Sequence, residues 1–121
     1  MIVINNIQYC KEIDAIIKNN EHQFTILKFG AKWCKPCIAM KEEFTSYIKS
    51  LNRTDSVLID IDIDELVDID EYYQISKIPY FIIYNKEMRV CEFNSAQIHI
   101  IKANFESHIP IQNEFILNED F

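Results

Sequence analysis

Hydrophobic positions along this chain follow two rhythms, one of strands and one of helices. Ile2, Val3 and Ile4 form a short apolar run that predicts an edge strand. Cys10, Ile13, Ile16 and Ile17 then recur at helical spacing, with Lys11, Glu12 and Lys18 on the other side, and the pattern fades at Asn19-Asn20. Residues 24–29 show no clean alternation, which suits a central strand covered on both faces. From Ile38 to about Leu51 the helical rhythm returns, and Cys37, Phe44, Ile48 and Leu51 share one side. Residues 57–61 form a second buried strand, so strand, helix and strand predict a right-handed parallel unit.

The second half alternates in the same way. Asp64 is placed to cap a helix over residues 65–73, with Leu66, Ile69 and Tyr73 inward. After Ile78-Pro79, residues 80–84 and 88–93 read as strands joined by the polar turn Asn85-Lys86-Glu87, which is short enough to require an antiparallel pair. Ser95 is the expected cap of a last helix with Ile98, Ile101, Phe105 and Ile109 inward, stopped by Pro110. Residues 1–109 therefore form one domain. Residues 110–121 are a short acidic tail, with Phe115, Ile116, Leu117 and Phe121, read as a frayed end.

Composition narrows the function classes. A chain of 121 residues is long enough to bury one core, and 49% hydrophobic with 26% charged residues is ordinary for a globular domain. A net charge of −7 and a pI near 4.9 argue against nucleic acid as a partner. No basic-then-apolar leader and no membrane-length run is visible, so no membrane role is expected. Four cysteines without an export signal point to a reducing compartment, and the expected location is cytoplasmic. Gly30 is the only glycine.

The chemistry concentrates in Trp33-Cys34-Lys35-Pro36-Cys37, at the predicted strand-to-helix junction. Unpaired N–H groups and the helix dipole favour an ionised thiol at such a site. Cys34 is expected to be the exposed thiol and Cys37 the more buried one, and the pair can close and reopen a small disulfide ring. The Cys-x-x-Cys tetrad also occurs in zinc sites, but Cys10, Cys91, His22, His99 and His108 offer no second pair at ligand spacing. A structural disulfide without turnover remains an alternative at this point. Cys10 and Cys91 read as small buried hydrophobes in a helix and a strand.

The element order, the Trp33-Cys34-Lys35-Pro36-Cys37 motif and the later Ile78-Pro79 together resemble the thioredoxin family, over nearly all of the chain to Ile109. The resemblance implies an α/β thioredoxin fold, with a central mixed β-sheet and helices on both faces. It implies Cys34 and Cys37 as the catalytic pair and Pro79 as a cis proline against them. Trp33, Ile78 and Pro79 become the substrate-binding surface. Pro36 and Lys35 tune the motif, Lys35 standing where the family usually has glycine and favouring a Cys34 thiolate. Other departures are Glu42 for a kinking proline, which predicts a straighter helix, Glu87 and Ser95 for glycines, and Tyr80 for threonine.

Lys28 and Asp60 are lone charges inside apolar strands, at positions where the family commonly keeps a buried aspartate and a lysine or glutamate. Burying either alone is costly, so the two are expected to pair with their signs exchanged, Lys28 lying near Cys37. The implied function is a protein thiol:disulfide oxidoreductase that needs no cofactor beyond its reversible Cys34–Cys37 disulfide and no metal. Its partners would be disulfide-containing proteins and a thioredoxin-reductase-like electron donor. A binding or adaptor module on the same fold, without redox turnover, is the alternative.

Overall fold

The computed structural model describes residues 1–19 and 21–110, so residues 111–121, most of the predicted tail, lie outside the described residues, as does Asn20. The elements run β1 (Ile2–Ile4), α1 (Cys10–Lys18), β2 (Phe24–Gly30), α2 (Lys35–Leu51), β3 (Ser56–Asp62), α3 (Ile69–Tyr72), β4 (Tyr80–Asn85), β5 (Met88–Asn94) and α4 (Ile98–His108). The five strands form one mixed sheet in the order β1-β3-β2-β4-β5. β1 and β2 both run parallel to β3, β4 is antiparallel to β2, and β5 is antiparallel to β4.

Each face of the sheet buries its own core, as the unbroken apolar strands require. On one face Leu27, Phe29, Ile59, Ile61, Ile82 and Tyr84 meet Ile13 and Ile17 of α1 and the segment carrying Leu66 and Tyr73. On the other, Phe24, Ile26, Leu58, Phe81 and Ile83 meet Met40, Phe44 and Ile48 of α2 and Ile101 and Phe105 of α4. Phe81 anchors the second core, stacked on Phe93 with ring centroids 4.8 Å apart and tilted against Phe44 at 5.7 Å. Burying such a ring contributes about 1.5–3 kcal/mol. Cys10, at 1% exposure, belongs to the first core, as its spacing predicts.

Two predicted helix starts are corrected. The helix expected over residues 65–73 is reduced to the single turn Ile69–Tyr72, and Asp64 caps nothing. Its residues are committed elsewhere: Asp62 accepts the N–H of Asp64, Glu65 and Leu66 in a turn, Val67 N donates to Gln8 O at 2.9 Å, and the Asp68 carboxylate takes the Cys10 N–H at 2.9 Å. The inward set survives the loss of the helix, with Leu66 and Tyr73 buried and Ile69 packed beside them. In α4 the cap position is Gln97, whose carbonyl receives the first helical bonds, while Ser95 Oγ accepts from Gln97 N at 3.0 Å to shape the turn before it. Cys91 is half-buried in β5, its Sγ 3.5 Å from Asn104 Oδ1.

Two non-glycine residues take the left-handed conformation, and neither stands at Glu87 or Ser95. Lys86 carries a positive φ of 55° in the two-residue β4–β5 turn, and Asn52 one of 48° as the left-handed C-cap of α2. Asparagine tolerates that region better than most side chains do. With Glu42 in place, α2 runs as one 17-residue helix.

Candidate active site

The site is assembled where β2 ends and α2 begins. α2 starts at Lys35, a turn earlier than Ile38, because the motif itself forms the helix entry. Cys34 is the N-cap: its carbonyl accepts the first helical bond from Ile38 N at 3.0 Å and its Sγ accepts from Cys37 N at 3.2 Å. A sulfur thus fills the role usually played by a serine or aspartate oxygen. Pro36, in the first turn, lacks an N–H that would otherwise go unpaired there. Cys34 and Cys37 are joined as a disulfide, with Cα atoms 5.3 Å apart.

The surroundings reverse one expectation. Both cysteines are buried, and Cys34 is slightly the less exposed, at 4% against 7% for Cys37. They pack with Ala31, Ile63 and Ile78, and Cys34 Sγ lies 3.8 Å from Ile78 O. The Ile78-Pro79 peptide is cis. Pro79 itself is buried, so the apolar surface beside the disulfide is supplied by half-buried Ile78 and by Trp33, which is 64% exposed. The Pro79 carbonyl accepts from Asn94 Nδ2 at 2.7 Å, a tie between β5 and the proline loop that no sequence pattern signals.

Trp33 is held from one side. Its Nε1 donates to Asp64 Oδ2 at 2.7 Å, which is the use found for the carboxylate that sequence reasoning assigned to a cap. Lys35 is exposed on the first turn of α2, and Lys32 is exposed but paired with Glu65 at 3.5 Å. Neither lysine is buried against the sulfurs.

Cys37 has a side of its own. Gly30 ends β2 directly beneath it, and a side chain there would meet Cys37 Sγ at 3.5 Å and Lys28 Nζ at 3.7 Å. The unfilled space is part of a cleft of about 390 Å³ lined by Cys37, Gly30, Lys28 and Asp60 among others. Lys28 and Asp60 are directly opposite in the β2–β3 register, and Nζ and Oδ1 are 3.2 Å apart, as the cost of isolating either charge requires. Lys28 is the more enclosed, at 12% side-chain exposure against 44% for Asp60, and its ammonium lies 5.8 Å from the centre of the Phe44 ring. The unique glycine marked this spot in the sequence, although nothing local said what it faced.

The thioredoxin family model matches residues 5–109. This chain belongs to the thioredoxin family. It is 24% identical to thioredoxin of Ictalurus punctatus over 106 residues, covering 88% of this chain and 99% of that protein. It is 31% identical to thioredoxin-1 of Drosophila melanogaster over 94 residues, 75% of this chain and 80% of that one. Among solved structures, the reduced Schistosoma mansoni thioredoxin pre-protein shares its fold with a TM-score of 0.77 at 20% identity, over 90% of this chain and 100% of that one. With the Cys34–Cys37 pair in bonding contact, the chain is a thioredoxin-like dithiol oxidoreductase. Among the described residues no group of His, Cys, Asp or Glu is arranged to hold a metal ion, and no helix is long and apolar enough to cross a membrane.

Proposed function

We propose that the chain works as a reductase of protein disulfides, with Cys34 as the attacking sulfur and Cys37 as the resolving one. The observation that carries this reading is the Cys34 Sγ at the α2 N-cap, receiving the Cys37 N–H at 3.2 Å beside the exposed Trp33. In the reduced protein the same N–H and the positive end of the helix favour the Cys34 thiolate. That thiolate attacks one sulfur of a substrate disulfide, a mixed disulfide forms, and the other substrate sulfur leaves with the electron pair and takes a proton from solvent. Cys37 then loses its proton to water and attacks Cys34 Sγ, the mixed disulfide breaks, and the second substrate sulfur leaves as a thiol. Two electrons have passed to the substrate, and the chain holds the Cys34–Cys37 disulfide.

Returning that disulfide to the dithiol takes two electrons from an external donor, for which a thioredoxin-reductase-like enzyme is the proposed partner. A cytoplasmic setting suits the chain, since Cys10 and Cys91 are free thiols apart from the redox pair. Trp33 and Ile78 are the proposed contact surface for the substrate. Reduction of insulin by dithiothreitol, followed by turbidity, tests the proposal. Precipitation should quicken in proportion to added protein and fall to the uncatalysed rate with Cys34→Ser. A wild-type rate equal to the uncatalysed one would favour the binding module.

A further inference from the structure

Cys37, the sulfur that must lose a proton before it can resolve the mixed disulfide, faces the cleft, and Cys34 does not line it. The charged groups around that cleft come from every element packed on Cys37: Lys28 from β2, Lys32 from the β2–α2 loop, Lys41 from α2, Asp60 and Asp62 from β3, and Glu65 from the loop beyond. Lys32 and Lys41 are exposed, so solvent and salt screen their charges, and Lys32 reaches out to Glu65 at 3.5 Å. Lys28 differs from them in three ways. It is mostly enclosed, its ammonium is fixed by Asp60 at 3.2 Å and by the Phe44 ring, and it borders the space above Gly30 from which Cys37 Sγ is reached.

Resting on the reading above, we propose that Lys28 is a positioning residue for the resolving step, its ammonium holding Cys37 Sγ as the attacking anion across the space left by Gly30. Asp60 sets where that ammonium sits and, being half-exposed at the cleft, keeps the pair hydrated so that the proton leaves Cys37 for water. The step balances without another reagent: Cys37 gives up a proton to cleft water, its lone pair forms the bond to Cys34 Sγ, and the pair from the broken bond leaves on the substrate sulfur. A partly enclosed cation acts more strongly there than an exposed one, because Ala31, Ile38 and Ile61 line the same cleft and the Phe44 ring lies behind the ammonium.

The test follows Cys37 itself. In a Cys34→Ser background, the rate of Cys37 alkylation is mapped by peptide mass against pH, which separates it from Cys10 and Cys91. Lys28→Met should move the midpoint up by about one pH unit, Lys28→Gln, which retains a hydrogen-bond donor for Asp60, should do the same, and Lys28→Arg should restore it. With Cys34 present, resolution of a preformed mixed disulfide near neutral pH should slow about tenfold in Lys28→Gln and recover at high pH. Circular dichroism confirms that each variant is folded. An unmoved midpoint in a folded Lys28→Gln protein overturns the inference, even where insulin is still reduced. A moved midpoint in a protein that fails to reduce insulin overturns the reductase reading and leaves the role of Lys28 standing.

Discussion

The indole N–H of Trp33 and the carboxylate of Asp64 meet at 2.7 Å across the rim of the site, so an aromatic that is 64% exposed is nevertheless fixed in direction. An exposed ring gains little by packing, and this one bond does most to keep it from sampling other rotamers. Asp64→Ala should therefore lower the fluorescence anisotropy of the chain's single tryptophan. It should also raise KM for a protein disulfide about fivefold, equivalent to roughly 1 kcal/mol, with kcat little changed. A drop in kcat with KM constant would mean that the indole acts on the sulfurs rather than on the substrate.

Arg53 and Asp55 form the best-enclosed ion pair described, each side chain 12% exposed, with a two-point contact of 2.8 and 2.7 Å. Arg53 also donates to the carbonyls of Ile109 and Pro110, tying the end of α4 to the start of β3. The Arg53 hydrogen bond holds the Asp55 carboxyl below its ordinary value of 3.8, against the opposing effect of burial and with help from Ser56. A depressed native value means stability that is complete above 3.8 and lost as the pH falls below it toward that native value. Asp55→Asn should cost about 2 kcal/mol near neutral pH, because the half-buried guanidinium loses its counter-ion while keeping the carbonyls of Ile109 and Pro110, and should flatten the fall in Tm below about pH 4.

Gly30→Ala tests whether the glycine is kept for backbone or for space. Its φ lies outside the left-handed region and the new methyl would meet its neighbours at ordinary contact distance, so the protein should fold with stability changed by less than about 1 kcal/mol. The effect belongs to the cleft. Alkylation of Cys37 in the reduced protein should slow, and Gly30→Leu, which fills more of the space, should slow it further. An unchanged rate in both variants would show that Cys37 is reached from another side.

Cys10 should be inert in the native protein. Burial, then the hydrogen bond and charge of Asp68, push its thiol up to about 12, so almost no thiolate is present near neutrality. Cys91, raised chiefly by burial and then by Glu92, should also label more slowly than a free thiol. Iodoacetamide at mildly alkaline pH should label Cys34 first in the reduced protein and leave Cys10 unlabelled until denaturant is added. Early labelling of Cys10 would show that α1 opens locally.

The amino-acid sequence alone determined the strands, most helices, the dithiol at a helix mouth and the meeting of Lys28 with Asp60. Periodicity acts over short range, and the cost of an unpaired buried charge leaves a single escape. Tertiary structure decided what depends on partners distant along the chain. Asp64 caps nothing because Trp33 claims its carboxylate, and residues 65–68 do not coil because Gln8 and Cys10 compete for their polar groups. Helix-mouth position suggested an exposed Cys34, yet Ile78 comes down on it from a loop far along the chain, while the absent side chain of Gly30 opens the other flank of Cys37 to the cleft. Burial is a sum over neighbours, and those neighbours are chosen only when the sheet closes.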